Sequence, residues 1–180
     1  MDQAHGRRKS RHIGSIDSLL AGSNQLGSTA AHHKSPSYRM PRTPKEEFSQ
    51  VAALPFRIKD GRIEVLLVTS RETRRWLIPK GWPMKGKKPY KAAEQEAAEE
   101  AGVKGEIKQE PLGFYDYWKR RSKHFDLCRV EVYPLEVSKQ LESWREKGQR
   151  QTQWFEVEEA AHQVLEPALA ELIRSLPARV

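Results

Sequence analysis

Gly81-Trp-Pro-Met-Lys-Gly-Lys-Lys-Pro-Tyr-Lys-Ala-Ala-Glu-Gln-Glu-Ala-Ala-Glu-Glu-Ala-Gly-Val103 is the stretch on which the fold of this chain turns. From Tyr90 to Ala101 every residue forms or tolerates a helix. Pro89 suits a first helical turn and Gly102 is placed to end one, so a helix is predicted over 90–101. Ala92, Ala93, Ala97, Ala98 and Ala101 give it small neighbours that let it lie close against a sheet or loop. Glu96, Glu99 and Glu100 stand at i, i+3 and i+4 and project from one face. Three like charges at that spacing repel unless a cation is their partner, and hard divalent ions such as Mg²⁺ take oxygen ligands while keeping several waters. Taken alone, Glu-x-x-Glu-Glu more often marks a solvated acidic face.

Working outward, the apolar runs at 51–58 and 63–68 flank an Asp60-Gly61 turn signal and predict a hairpin of buried strands. A third apolar run, 76–79, stops at Lys80-Gly81. Further strands are predicted at 112–118, 125–137 and 152–157, and an apolar-periodic helix over 167–176 closes the chain. Mixed strands and helices without internal repeats predict an α/β (α+β) sandwich with a mixed central sheet.

The net charge of +8 is unevenly spread: residues 1–45 carry eight Lys/Arg against two acids, leaving 46–180 at +2. Residues 1–45, rich in Ser, His, Gly and Arg, cannot bury enough surface to offset their ordering entropy and are read as a disordered basic tail. Their composition also resembles an organellar transit peptide, against the plainer reading of a solvated extension. The domain is placed at 46–180. With one cysteine, Cys128, an internal disulfide is excluded, which favours a reducing, cytoplasmic setting. No run of about 18 apolar residues exists, so no membrane partner is expected, and nucleic-acid binding is confined to weak, salt-sensitive contact by the tail.

The stretch 81–103 resembles the 23-residue Nudix box, G-x5-E-x7-R-E-U-x-E-E-x-G-U. Gly81, Glu96, Glu99, Glu100, Gly102 and Val103 fall on their expected positions, and Ala97 fills an apolar one with a smaller side chain. Lys87 replaces the first glutamate and Gln95 replaces the arginine. The resemblance implies an α-β-α sandwich and metal-dependent attack of water on a phosphorus. Glu96, Glu99 and Glu100 are then the ligands of Mg²⁺ or Mn²⁺, helped by the carbonyl of Lys80, and Glu99 and Glu100 the catalytic pair, with the choice of base left open. The box arginine fixes the following glutamate by a charge-assisted bond; Gln95 keeps a donor without the charge, and Lys87 is free to pair with a substrate phosphate.

Over roughly 50–157 the chain is also similar to diphosphoinositol polyphosphate phosphohydrolases and dinucleoside polyphosphate hydrolases, through Phe56-Arg57, Ser70-Arg71, Arg75-Trp76, Lys123-His124 and Trp154-Phe155 among others. That similarity implies a small-molecule polyphosphate substrate held by Arg71, Arg75, Lys80, Lys123, His124 and Arg150. Gln50, Gln151 and Thr152 stand where those enzymes tend to be basic, which counts against an inositol pyrophosphate. Segment 114–124 reads as a strand ending in a phosphate-binding loop, with Tyr117 or Trp118 placed for base stacking or for the core. The competing reading is a Nudix-like binding module whose catalysis has been lost through Lys87 and Gln95. Nothing in the sequence addresses oligomeric state.

Overall fold

A computed structural model describes residues 48–180; the tail expected over 1–45 lies outside the described residues. Strands β1 (Phe48–Lys59) and β2 (Arg62–Thr69) form the expected hairpin, paired from Phe56↔Val65 to Lys59↔Arg62. The two-residue connection has Asp60 at φ 50° and Gly61 at φ 75°, the pair of positive values that a tight hairpin turn demands. Two short strands follow, β3 (Trp76–Leu77) and β4 (Lys80–Gly81), then helix α1 (Pro89–Glu96). Strands β5 (Val103–Ile107), β6 (Gly113–Arg120), β7 (Phe125–Gln140) and β8 (Thr152–Glu156) complete the sheet, and helices α2 (Val157–Gln163) and α3 (Pro167–Ser175) end the chain.

The sheet runs β3-β2-β1-β7-β5, with β4 on β1, β6 on β7 and β8 on β2. Its centre is the parallel pair β1–β7, from Phe48↔Cys128 to Phe56↔Glu136, in otherwise antiparallel surroundings. The sheet is therefore mixed. Alternation along each strand sends residues to two cores. Ala52, Leu54, Phe56, Val65, Leu67, Val130 and Val132 face Ala160, Ala161, Leu169, Ile173 and Leu176 of α2, α3 and the turn after α3. Val51, Ala53, Leu66, Val68, Tyr133 and Leu135 face Ala92, Ala93, Ala97 and Ala101. Helices on both faces of one mixed sheet are the expected α-β-α sandwich. None of the described helices is long and apolar enough to cross a membrane.

Besides shifts of one to three residues at other strand ends, three features differ from expectation. The helix at 90–101 is α-helical only to Glu96; Ala97–Ala101 form a π turn, closed by the Gly102 N–H donating to the Ala97 carbonyl. Strand β5 was not anticipated, because only Val103 and Ile107 of its five residues are apolar enough to bury. The strand expected to run through Val157 stops at Glu156, where α2 begins so that Ala160 and Ala161 can reach the core.

Candidate active site

Strand β4 sets one wall of the site. Its pairing with β1, Val51↔Gly81 and Ala52↔Lys80, holds the backbone of 80–81 against the glutamate helix. The Lys80 N–H donates to Glu100 Oε2 at 3.2 Å. A side chain at Gly81 would run into the Glu96 carboxylate, so a glycine is what lets that carboxylate sit there. Gln95 donates along the helix to Glu99, four residues on, and Glu96 lies close enough to Glu100 and Glu99 to feel both charges.

The three carboxyls differ electrically. Glu96 is pushed up to about 7, first by burial and then by the charges of Glu100, Glu99 and Glu146. Glu100 is also raised, by burial, against the opposing pull of Arg150 and Lys80. Glu99 is held below the usual range, chiefly by a hydrogen bond from Gln95 and then by Arg145. Burial brings the Lys80 ammonium down to about 8, with Glu100 opposing.

A second wall comes from the segment joining β7 to β8, of which the sequence pointed to Arg150 alone. Its backbone is bonded to the end of the helix: the Leu141 N–H donates to the Gly102 carbonyl at 2.7 Å and the Glu146 N–H to the Glu99 carbonyl at 3.1 Å. Gln140 Nε2 reaches the carbonyls of Ala101 and Gly102 at 3.0 and 3.1 Å. The Trp144 ring lies where a side chain on Gly102 would go, and Gly102 is also left-handed at φ 66°. Glycine is required there twice over. From this anchored segment Arg145 Nη1 bonds Glu99 Oε2 at 2.5 Å. Arg150, with only 8% of its side chain exposed, bonds Glu100 Oε1 at 2.5 Å, Glu146 Oε2 at 2.6 Å and the Thr69 carbonyl at 3.0 Å.

The two positions that depart from the Nudix box are partners of each other. Lys87 Nζ donates to Gln95 Oε1, and Gln95 Nε2 donates to Glu99 Oε1 at 2.6 Å. An ammonium can only donate, so Lys87 fixes which way the Gln95 amide points. Lys87, expected to be free for a substrate phosphate, is turned to Gln95 instead.

Beside the carboxylates lies an open cleft of about 460 Å³ lined by Arg71, Arg75, Lys80, Lys119, Arg120 and Arg150 with one acid, Glu72. Four of the six expected substrate-binding residues meet there. Lys123 and His124 do not: they sit at the β6–β7 hairpin tip, where the Arg121 N–H closes on the His124 carbonyl and His124 pairs with Asp126 at 3.1 Å. Lys119 and Arg120 take their place, because β6 runs two residues past the expected end. Arg75 is partly committed to Glu166 at 2.5 Å, and Arg71 approaches Glu146 at 3.6 Å. Tyr117, expected either to stack or to pack, is buried with its hydroxyl on Gln50 Oε1 at 2.7 Å, and its ring edges the cleft. Trp118 is 62% exposed.

Among the described residues no three acidic, His or Cys side chains form a group that would hold a metal ion as they stand; Glu99 and Glu100 are each bonded to an arginine. The donor set still suits a hard cation. Its oxygens are carboxylate oxygens, and the burial and then the mutual repulsion that raise Glu96 are what a divalent charge relieves.

The NUDIX domain model matches residues 48–176. The chain is 33% identical over 122 residues to the mitochondrial Nudix hydrolase 12 of Arabidopsis thaliana, covering 63% of this chain and 60% of that protein's length. It is 38% identical over 132 residues to the human diphosphoinositol polyphosphate phosphohydrolase 3-beta, covering 71% of this chain and 76% of the relative. Among solved structures, the C. elegans Ap4A hydrolase superposes with a TM-score of 0.55 at 19% identity, over 74% of this chain and 98% of that one, a likeness of fold. With the domain match running from the first strand through the last helix, this chain belongs to the Nudix family.

Proposed function

We propose that the chain hydrolyses a pyrophosphate bond in a polyphosphorylated small molecule, in the presence of Mg²⁺ or Mn²⁺. One observation carries this reading: a cleft with six cations and one acid opens beside three clustered glutamates, and the two share residues. Lys80 lines the cleft with its side chain and bonds Glu100 through its backbone, while Arg150 lines the cleft and bonds Glu100 directly.

Glu96, Glu99 and Glu100 would hold the divalent ion, whose chemistry is to polarise phosphate oxygens as a Lewis acid. The chain's own residues supply the rest. Arg71, Lys80, Lys119 and Arg120 bind and orient the polyphosphate by charge-assisted bonds. Glu100, nearly buried between the Lys80 amide and Arg150, is fixed in direction. Glu99, the more open of the two, stays ionised and is assigned the proton of the attacking water. Dinucleoside polyphosphates and diphosphoinositol polyphosphates rank together as substrates, supported by the names of the human and nematode relatives. The proposed setting is cytoplasmic, supported by the single, buried Cys128.

The test is phosphate release from diadenosine polyphosphates, inositol pyrophosphates, nucleotide sugars and nucleoside triphosphates, with Mg²⁺, with Mn²⁺ and with EDTA. Cleavage of one class that EDTA abolishes establishes the activity and its substrate. A second reading, a phosphate-binding module, is favoured by one observation: Glu99 and Glu100 are already neutralised by arginines. Tight calorimetric binding of a panel member without turnover would select it.

A further inference from the structure

We infer that Arg145 is the positioning residue of Glu99: the cation that aims this carboxylate comes from the segment between β7 and β8, and Lys87, through Gln95, is its second support. The inference rests on the hydrolase reading only for the reaction that Glu99 serves; the geometry is independent of it. Glu99 is gripped at both oxygens, Oε1 by Gln95 at 2.6 Å and Oε2 by Arg145 at 2.5 Å. A carboxylate offers about four acceptor directions, so two donors fix its orientation and leave others open to a ligand. Gln95 brings no charge. The only guanidinium bonded to Glu99 among the described residues therefore comes from far along the chain, at 145.

An exposed ion pair between two long side chains ordinarily counts for little, since both must be ordered to make it. Here the backbone does the ordering. The residue after Arg145 donates its N–H to the carbonyl of Glu99 itself, and the Leu141 N–H, the Gln140 amide and the Trp144 ring hold the same segment on Ala101 and Gly102. Arg145 thus starts from an anchored position beside its target. On the other side, Lys87 holds the Gln95 oxygen, which leaves the amide nitrogen facing Glu99. The two departures from the motif and one residue outside it form a single connected set around one carboxylate.

The test uses the full chain in four forms: wild type, Arg145→Gln, Arg145→Lys, and Arg145→Gln combined with Gln95→Arg. Mn²⁺ affinity is read by electron paramagnetic resonance, and kcat and KM are read on whichever panel substrate the wild type cleaves. Arg145→Gln is expected to keep its unfolding temperature, weaken Mn²⁺ binding by about tenfold and lower kcat by about 10–100-fold at unchanged KM. Arg145→Lys should fall between, because a point charge replaces a planar fork. Gln95→Arg, which puts a cation beside Glu99 from within the helix, should restore both quantities. Unchanged Mn²⁺ affinity in Arg145→Gln, a rise in KM at constant kcat, or failure of Gln95→Arg to rescue would each overturn the inference. A wild type that binds Mn²⁺ but cleaves nothing defeats the hydrolase reading while the Mn²⁺ measurements still decide the role of Arg145. A wild type that binds no Mn²⁺ defeats both.

Discussion

The two faces of the sheet are built from different stock. Against α2 and α3 the sheet sets Leu54, Phe56, Val65 and Leu67, which meet Leu169, Ile173 and Leu176. Against the glutamate helix it meets four alanines, Ala92, Ala93, Ala97 and Ala101, all wholly buried. Large side chains bury more apolar area, at roughly 25 cal/mol per Å², so the first face carries more of the stability. Small ones let a helix backbone approach closely. That closeness brings Glu100 within reach of the Lys80 amide and Glu96 against Gly81. One face stabilises, and the other gives up burial to place carboxylates.

The sharpest expression of this division is Glu99→Gln. It is expected to lower turnover by on the order of 10²–10⁴-fold with the unfolding midpoint unmoved, as judged by steady-state kinetics alongside thermal melting. Glu100→Gln should match it in turnover but also lose stability, because buried Arg150 would keep only Glu146 as a carboxylate partner. On the opposite face, Phe56→Ala should cost about 3–5 kcal/mol in chemical denaturation, while kcat per folded molecule stays at the wild-type value. Ala93→Leu is chosen to break the separation. Overpacking should cost about 1–3 kcal/mol and, by lifting the helix off β1, lower turnover as well. If Ala93→Leu loses stability alone, close approach is not what places the acids.

The smallest effect is in pH. In metal-free protein the Glu96 carboxyl titrates near 7, above its ordinary 4.5. Between those values the folded state holds a proton that the unfolded state has lost, so stability falls as pH rises from about 4.5 to 7 and stays reduced above it. The side chain is only part-buried, which limits the cost to about 1–2 kcal/mol. Melting curves at pH 5 and pH 8 should show the fall in wild type, Glu96→Gln should lack it, and Mg²⁺ should remove it.

What could be read in the sequence follows the range of the interactions involved. The hairpin at Asp60-Gly61, the helix from Pro89 to Gly102 and the closing helix from Pro167 are set by neighbours a few residues apart, and all three are where they were expected. Glu96, Glu99 and Glu100 likewise lie near enough to feel one another's charge, although no local signal announces the π turn that carries Glu99 and Glu100. Strand β5 depends on pairing with β7 and α2 on a core it does not contain, so neither shows in its own periodicity. Arg145 and Glu146 sit in a charged connecting segment indistinguishable from any solvated loop until Glu146 meets the Glu99 carbonyl. Lys119 and Arg120 were passed over for Lys123 and His124 because a strand end two residues later decides which cations reach the cleft.

The order in which the chain is made adds a further consequence of the β7–β8 segment. Synthesis proceeds at about 5–20 residues per second, so the helix that carries Glu99 is complete some seconds before Arg145 and Arg150 exist. Its sheet is not ready either, since β1 must wait for β7 to pair from Phe48↔Cys128 onward. Residues that recognise the site early in the chain are therefore completed by residues that arrive late, and a nascent or truncated chain ending before 145 would carry the signature motif without the cations that hold it.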